Sequence, residues 1–347
     1  MSKLKMGIIG LGRMGMEHAK HIAANASQVE PLAACALDDE QLAAAKELGF
    51  KTVYKDYKEM LDKEDIEAIV VASPTDLHTE MCAYILQHPK KIHVFCEKPL
   101  DTNVADETES LKIYNLVKQS DAVFQIGFNR RMDRQYRAAY EQIQEGKIGE
   151  PQIVKITSRD PFVIPIELIK RIGGLLVDFT MHDFDMARYM MGSNIKEVYA
   201  KGGVLIEPEL KEIGDIDTLA LVIEFENGAF GLIDNSRQAV YGYDVRVEVF
   251  GSEGMLKVEN VNKSTVEYYN KDNAQLKNPS PIFMERYEEA YISEMNSFIQ
   301  SIQNGTPVVC SIEDVILAQR AAAAGLESLR TGKPVRVNNE LTPAGNN

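Results

Sequence analysis

The first 127 residues alternate short apolar runs with segments of helical periodicity. The apolar runs predict buried strands over residues 5–10, 29–37, 68–72, 93–96 and 123–127. Segments whose apolar residues recur every three or four positions predict helices over residues 14–24, 40–48, 57–61, 79–87 and 106–119. Strands that alternate with helices of this length indicate an α/β domain with a parallel, doubly wound sheet.

The pattern changes near residues 146–151, after which longer strands alternate in polarity. Strands are predicted over residues 218–226, 229–236, 245–250 and 255–258, and helices over residues 285–303 and 312–330. Asn227-Gly228 predicts a hairpin turn with both residues at positive φ, and Ser311 with Asp314 resembles a capping box. We therefore expect a C-terminal α+β domain with a large, open-faced, mostly antiparallel sheet.

The predicted division gives residues 1–125 to the N-terminal domain, 126–340 to the C-terminal domain and 341–347 to a frayed tail. A length of 347 residues fits two domains, and 45% hydrophobic residues suffices for two packed cores. An open, partly apolar face on the second sheet invites pairing with another subunit.

Charge and cysteine usage narrow the partners and the compartment. A net charge of −14 repels phosphate backbones, so neither nucleic acid nor membrane is expected as a partner. The apolar run that follows the first residues ends at Leu11, too short for a signal peptide or a membrane span. The cysteines are far apart and form no C-x-x-C, which predicts reduced thiols in the cytoplasm; they are Cys35, Cys82, Cys96 and Cys310.

A glycine motif, Gly10-Leu-Gly12-Arg-Met-Gly15, joins the first predicted strand to the first predicted helix. In this position G-x-G-x-x-G is typical of dinucleotide binding. Gly10 permits the tight turn, Gly12 lets the backbone approach a pyrophosphate, and Gly15 lets helix and strand pack closely. The helix N-terminus adds free N–H groups for phosphate, which predicts a Rossmann domain.

The end of the second strand decides between NAD and NADP. An acid is expected there to bind the adenosine ribose, but Ala36 occupies that position and Asp38 follows two residues later. No arginine or lysine lies between Leu32 and Gln41 to neutralise a 2′-phosphate, and Asp38 would repel one. We therefore expect NAD, with Asp38 as the candidate ribose contact.

Lys98 directly follows a predicted strand, in Cys96-Glu97-Lys98-Pro99. Substrates bind at the carboxyl ends of strands in such sheets, and Pro99 disfavours helical geometry at Lys98. This position makes Lys98 a candidate catalytic residue, with a solvated surface lysine as the alternative.

A second candidate segment runs from Gly173 to Tyr189. On a helix, Asp178, His182 and Asp185 fall at spacings of four and three and would share one face, which suits an acid–base site. The alternatives are a structural histidine and a metal site, but no second histidine lies nearby, so no metal is expected.

Hydride transfer from a carbinol carbon to nicotinamide would give these residues distinct roles. A histidine that titrates near neutral pH suits removal of the hydroxyl proton, here His182. The Lys98 ammonium would stabilise the developing oxygen charge, and Asp178 would orient the histidine. The cofactor carries the remaining chemistry.

These segments together resemble the glucose–fructose oxidoreductase / inositol dehydrogenase (Gfo/Idh/MocA) family over nearly the whole length. The resemblance rests on Gly10 to Gly15, Ser73-Pro-Thr-x-x-His78, Glu97-Lys98-Pro99, Gly127-Phe-Asn-Arg-Arg131 and Asp178-x-x-x-His182-Asp-x-Asp185. Within the family, Ser158-Arg-Asp-Pro161, His182 to Arg188, Asp234-Asn-Ser-Arg237 and Tyr241-Gly-Tyr-Asp244 look most like bacterial inositol dehydrogenases.

The resemblance implies oxidation of one secondary hydroxyl of a cyclic polyol, most similar to myo- or scyllo-inositol oxidation, by a homotetramer built on the open sheets. It implies that the catalytic set is Lys98, Asp178 and His182. It implies a substrate-binding set that adds Arg130, Asp160, Asp185, Asn235 and Tyr241. It also implies NAD contacts through Arg13, Met14, Ser73, Thr75, His78, Glu97 and Lys98.

Two alternatives remain open at this point. One is the same chemistry on another sugar or polyol, because sequence does not count the groups that pair with ring hydroxyls. The other is a non-catalytic, dinucleotide-sensing regulator, which would not need Lys98, Asp178 and His182 together. The remaining histidines, among them His18 and His21, are interpreted as structural or solvated.

Overall fold

A computed structural model describes residues 3–341 of the chain. Within this range, contacts divide the chain into two units. The first contains residues 3–129, 290–316 and 340–341, and the second contains residues 130–289 and 317–339. The first unit thus includes a late segment that a single division at residue 125 does not assign to it. The domain limits stay a prediction, and residues 342–347 of the predicted tail lie outside the described residues.

The first unit is built on a six-stranded sheet in which all paired strands are parallel, in the order β3-β2-β1-β4-β5-β6. This is the Rossmann order, so the predicted fold of this half is confirmed. The short, half-buried strand β3 was not predicted from the sequence. The strands are β1 Leu4–Ile9, β2 Val29–Cys35, β3 Thr52–Tyr54, β4 Ala68–Val71, β5 His93–Cys96 and β6 Phe124–Ile126.

Helices separate these strands as the periodicity predicted, with ends that differ by one or two residues in most cases. They are α1 Arg13–Ala24, α2 Asp39–Glu47, α3 Tyr57–Lys63, α4 His78–Leu86 and α5 Thr108–Gln119. The central strands β1 and β4 are almost entirely buried. Their side chains share one core cluster with Met295, Phe298 and Ile299.

The second unit contains a seven-stranded sheet in the order β12-β11-β7-β10-β9-β8-β15. Its strands are β7 Pro151–Arg159, β8 Ile195–Gly203, β9 Thr218–Phe225, β10 Phe230–Ser236, β11 Asp244–Gly251, β12 Met255–Val258 and β15 Val335–Arg336. A separate hairpin consists of β13 Tyr268–Tyr269 and β14 Ala274–Gln275. Among the described strands of this sheet only β7 and β10 pair in parallel, so the expected mostly antiparallel sheet is present.

One face of this sheet is covered and the other is open. Along β10, Gly231, Ile233 and Asn235 are buried, whereas Phe230 and Leu232 are exposed. The remaining helices are α6 Arg134–Gln144, α7 Ile166–Ile172, α8 Met181–Met191, α9 Phe283–Asn304 and α10 Ile312–Thr331. Within residues 3–341, no helix combines the length and apolar character that crossing a membrane requires.

The hairpin between β9 and β10 forms by a different turn from the one predicted. The Gly228 N–H donates to the Phe225 carbonyl at 3.0 Å, and the Phe225 N–H donates to the Ala229 carbonyl at 2.9 Å. Gly228 has φ +84°, but Asn227 is not in the positive-φ region. The expectation of two positive-φ residues was wrong because the loop has three residues and only its last residue needs glycine.

The start of α10 follows the prediction. The Ser311 N–H donates to Asp314 Oδ2 at 2.9 Å, and the Asp314 N–H donates to Ser311 Oγ at 3.4 Å. These two bonds are the reciprocal pair of a capping box.

Candidate active site

The glycine loop between β1 and α1 requires two of its glycines for steric reasons. Gly10 has φ +88°, and a Cβ there would lie 2.5 Å from the Ala72 carbonyl oxygen. A Cβ on Gly15 would lie 2.0 Å from the Gly10 carbonyl oxygen. The turn and the close packing predicted for these residues are therefore present, and the loop lies directly beside the end of β4.

Gly12 has a different reason to be glycine. It is the N-cap of α1, and a Cβ added there would meet no described atom within 4 Å apart from its chain neighbours. The protein does not fill this space, so it is open to a ligand at a helix N-terminus that favours phosphate. Arg13 is exposed and Met14 is half-buried at the same end of the helix. The loop thus fits the pyrophosphate of a dinucleotide.

Asp38 has a structural role that the sequence analysis missed. Its Oδ1 accepts hydrogen bonds from the backbone N–H groups of Glu40 at 2.8 Å and Gln41 at 3.0 Å. Asp38 is therefore the N-cap of α2, a position at which aspartate is preferred. Because the carboxylate is also exposed, a ribose contact through it stays a prediction.

His78 connects the two loops that follow β4 and β5. Its Nδ1 lies 2.8 Å from the Pro99 carbonyl oxygen and its Nε2 lies 2.9 Å from the Ser73 carbonyl oxygen. Burial lowers the pKa of His78, which outweighs the opposite effect of the two carbonyl groups. Both ring nitrogens therefore contact protein, and contact of this side chain or of Thr75 with the cofactor stays a prediction.

Glu97 and Lys98 form the loop after β5. The Lys98 N–H donates to Glu97 Oε2 at 3.2 Å, and His18 Nε2 lies 2.5 Å from Glu97 Oε1. Burial alone would raise the pKa of Glu97, but His18 and Lys98 outweigh it and lower that pKa. Lys98 is half-buried, and the Lys98–Pro99 peptide is cis.

In the second unit, a π-helical turn carries Asp178. This turn spans Leu175–Thr180, and α8 begins directly after it at Met181. The spacing of Asp178, His182 and Asp185 predicted one continuous α-helix with all three on one face. The structure differs because a π-turn places more residues in each turn than an α-helix does. Asp178 and His182 are half-buried, whereas Asp185 is 1% exposed.

Asp183, in the first turn of α8, lies at the centre of a buried polar network. Its Oδ1 accepts from Arg130 Nη1 at 2.5 Å and from Ser158 Oγ at 2.6 Å, and its Oδ2 accepts from Asn235 Nδ2 at 2.7 Å. Asn235 Oδ1 accepts from the Thr180 hydroxyl at 2.7 Å. Burial raises the pKa of Asp183, and Arg130 opposes that change. This network fixes the junction of the π-turn and α8, next to His182.

Asp185 is held by a second buried arginine. Arg131 donates to both its oxygens, from Nε at 2.9 Å and from Nη2 at 2.6 Å. The guanidinium also lies 5.0 Å from the ring centroid of Tyr189, which stacks on Tyr140 at 3.9 Å. This bidentate pair is a geometry specific to arginine and carboxylate, and it encloses Asp185 rather than presenting it to solvent.

Asp160 and Tyr241 lie at the end of the second sheet. The Asp160 backbone pairs with Ser236 and Ala239. The Tyr241 hydroxyl donates to Asp244 Oδ2 at 2.5 Å and accepts from Arg159 Nη1 at 3.3 Å. Tyr241, Arg159 and Asn235 line a cavity of about 530 Å³.

The structure thus groups the predicted residues separately within each unit. In the first unit the glycine loop, Ser73, His78, Glu97 and Lys98 lie at the carboxyl ends of β1, β4 and β5, as predicted. In the second unit Arg130 and Asn235 share one network, and Asp178 and His182 flank the helix junction. Asp183 and Arg131 were missed because their roles depend on tertiary pairing, although both lie inside the segments that carried the resemblance.

Two family models match most of the chain. One is described as "Oxidoreductase family, NAD-binding Rossmann fold" and matches residues 4–128, and the other as "Oxidoreductase family, C-terminal alpha/beta domain" and matches residues 140–337. The fold and the glycine loop therefore define an NAD-binding oxidoreductase, and the predicted cofactor is confirmed. The chain belongs to the Gfo/Idh/MocA family.

Relatives match over nearly the full length. The chain is 39% identical to myo-inositol 2-dehydrogenase of Thermotoga maritima, over 96% of this chain and 98% of that protein. It is 34% identical to scyllo-inositol 2-dehydrogenase (NAD(+)) of Bacillus subtilis, over 96% of each. The solved structure of scyllo-inositol dehydrogenase from Lactobacillus casei with bound NAD(H) and scyllo-inositol is similar, with a TM-score of 0.88, 31% identity and coverage of 96% of this chain and 99% of that one.

Proposed function

We propose that this oxidoreductase oxidises one secondary hydroxyl of a cyclic polyol, myo- or scyllo-inositol, to the inosose with NAD. The observation that carries the proposal is the nearly full-length likeness to inositol dehydrogenases, which reaches 39% identity. The space at Gly12 and the candidate acid–base residues Lys98, Asp178 and His182 support it from the chain's own residues.

The reaction needs a proton acceptor and a group that stabilises charge on oxygen. His182 takes the hydroxyl proton, a role that suits a half-buried imidazole. The Lys98 ammonium donates a hydrogen bond to the oxygen as its negative charge develops, and the Asp178 carboxylate orients His182. Bound NAD supplies the hydride acceptor.

The remaining predicted residues bind the two reactants in this proposal. Arg13, Met14, Ser73, Thr75 and the glycine loop contact NAD, and their place at the carboxyl ends of β1 and β4 supports this. A second set lies near the substrate: Arg130, Asp160, Asp185, Asn235 and Tyr241. Of these, Arg130, Asp185 and Asn235 are at most 2% exposed, which supports a part in fixing the site's shape.

The first test is a substrate panel followed by absorbance of the reduced nicotinamide. Purified protein is incubated with NAD or NADP and with myo-inositol, scyllo-inositol, chiro-inositol or glucose. We expect a signal with NAD and one inositol isomer. A signal with glucose alone would replace the proposed substrate by another sugar. Intact NAD binding without turnover of any polyol would favour a regulator.

We also propose that the protein is a cytoplasmic homotetramer that pairs through the open sheet face. The register places Phe230 of β10 and Phe250 of β11 on either side of Ile153, and it places Leu232 opposite Val222. All but Ile153 are large exposed apolar side chains, and such a patch favours subunit contact. In support of the cytoplasm, the four cysteines are buried and form no disulfide within residues 3–341.

Replacing Leu232 by aspartate is expected to convert the tetramer into smaller species, because the substitution would place a charge within the buried contact. Light scattering coupled to size-exclusion chromatography measures the mass. Leu37→Asp, at another exposed leucine in the first unit, is the control and should keep the wild-type mass. A monomeric wild-type protein, or an unchanged mass of Leu232→Asp, would contradict the proposed contact face.

A further inference from the structure

Three ionisable side chains meet inside the first unit, and one of them, Glu97, directly precedes Lys98 in the loop after β5. His18 lies on α1, Glu97 follows β5 and Glu294 lies on α9; they are 0%, 7% and 1% exposed. One nitrogen or oxygen of each lies within 4.8 Å of the others. From its sequence His18 was expected to be structural or solvated, and no motif marks Glu294.

Hydrogen bonds connect this cluster to Lys98 through a single carboxylate. Glu97 Oε1 accepts from His18 Nε2 at 2.5 Å, and Glu97 Oε2 accepts from the Lys98 backbone N–H at 3.2 Å. Phe95 and Tyr291 pack against the His18 ring, with centroids 5.1 and 6.1 Å away. The apolar rings limit where the imidazole can point, so His18 fixes the orientation of Glu97.

Glu294 differs from Glu97 in its surroundings. Within the described part of the chain, neither of its carboxylate oxygens has a hydrogen-bond partner. Burial, with a further contribution from Glu97, raises the pKa of Glu294 well above its usual value. Burial and Glu97 thus disfavour the charged form of Glu294, whereas His18 and Lys98 favour the charged form of Glu97.

A shared metal ion explains this geometry less well than hydrogen bonding does. Two ligand atoms on one tetrahedral zinc ion, each about 2.0–2.2 Å from the metal, are separated by more than about 3 Å. The His18 Nε2 and Glu97 Oε1 atoms are only 2.5 Å apart. The contact is that of a short hydrogen bond to a carboxylate.

We propose that His18 is a positioning residue that acts through Glu97 on Lys98, with Glu294 as the third member of the cluster. The inference rests on the proposed role of Lys98 in the reaction. A Glu97 carboxylate that is fixed and charged holds the Lys98 backbone and stabilises the nearby ammonium. Without His18, Glu97 loses a hydrogen bond that favours its charged form.

Two replacements of His18 distinguish the effect of its hydrogen bond to Glu97 from the effect of its size. Leucine has a similar size but no donor, whereas glutamine carries an N–H donor near the place of Nε2. We expect His18→Leu to lower kcat on the inositol substrate by roughly 10- to 100-fold, by analogy with the loss of hydrogen-bond partners that orient metal ligands. His18→Gln should restore most of the loss, and the KM for NAD should change little in both. His88→Leu, outside the cluster, is the control.

Labelling of Lys98 provides a readout that does not depend on turnover. Mass spectrometry would follow its reaction with an amine reagent at pH 8, where a less stabilised ammonium reacts faster. His18→Leu should label faster than wild type and His18→Gln should not.

If His18→Leu does not fold, His18→Asn, whose amide is too short to reach Glu97, replaces it. Unchanged labelling, or equal effects of leucine and glutamine, would overturn the positioning role. Labelling that changes as expected in a protein that turns over no polyol would instead contradict the proposed function.

Glu294→Gln tests whether burial disfavours the charged form of Glu294. Because the pKa of Glu294 is higher in the folded protein than in the unfolded chain, its contribution to stability is lost as pH rises through the folded value. Wild type should therefore lose more thermal stability than Glu294→Gln as the pH rises above about 4.3, the usual pKa of glutamate in an unfolded chain. Elemental analysis accompanies this test. About one divalent metal ion per chain in wild type that is absent from Glu294→Gln would overturn the hydrogen-bonded cluster.

Discussion

Replacing His182 by glutamine is expected to lower kcat for polyol oxidation by about 10²- to 10⁴-fold, the range that a general base contributes. Glutamine retains a similar shape and a polar end, but it does not accept the hydroxyl proton near neutral pH. The fold around position 182 is held by Asp183 and its partners, so the loss should concern turnover and not stability. Steady-state kinetics on the substrate found by the panel measures it.

NAD binding separates this effect from damage to the cofactor site. The glycine loop and Lys98 lie in the first unit and His182 lies in the second, so the Kd for NAD should stay near the wild-type value in His182→Gln. Lys98→Met should also lose turnover, because it removes the ammonium and retains the length of the side chain. His93→Gln is a control outside the proposed site. Near-normal kcat in either His182→Gln or Lys98→Met would refute the assigned mechanism.

The first sheet could be predicted from sequence because its signals are local. Strand β5 occupies residues 93–96 as predicted, since a parallel strand buried on both faces is a short apolar run. The glycine loop was equally accessible, because Gly10 needs a positive φ and Gly15 a close backbone approach. Such requirements act on single residues and their neighbours in the chain.

The second unit shows what local patterns miss. Spacing predicted an α-helix through Asp178, but the chain forms a π-turn at Leu175–Thr180 that is tied to distant residues. Asp215 Oδ1 accepts from the Leu175 N–H at 3.1 Å, and Thr180 donates to Asn235. These partners lie 40 and 55 positions away along the chain. No periodicity in one segment encodes such pairs.

The same limit applies to the buried charges. His18 was expected to be structural or solvated, and its burial fits the structural alternative; its partner Glu97, 79 positions away, could not be derived from neighbours in sequence. Asp185 was assigned to one helix face with Asp178 and His182, because the bidentate contact of Arg131, 54 positions away, cannot be derived from spacing. In both cases the residue type indicated polar chemistry, and the tertiary structure decided whether the side chain faces solvent or another charge.

Asp183 offers the sharpest test of how much this network stabilises the protein. Asp183→Ala is expected to lower the free energy of unfolding by about 3–5 kcal/mol, the usual cost of leaving one member of a buried ion pair alone. The unpaired charge would be Arg130, which is 2% exposed and close to Ser158. Urea-induced unfolding followed by circular dichroism measures the loss. Asp183→Asn, which retains a hydrogen-bond acceptor, should lose less.

Removing both charges distinguishes the cost of an unpaired charge from the value of the pair. The double variant Arg130→Met, Asp183→Leu should recover most of the stability that Asp183→Ala loses, because a buried ion pair replaced by apolar side chains of similar volume often costs little. It should not recover turnover if Arg130 and its network shape the substrate site, as proposed. A double variant as unstable as Asp183→Ala would mean that Ser158 and Asn235, rather than the charge on Arg130, account for the loss. Full activity in the double variant would remove Arg130 from the substrate site.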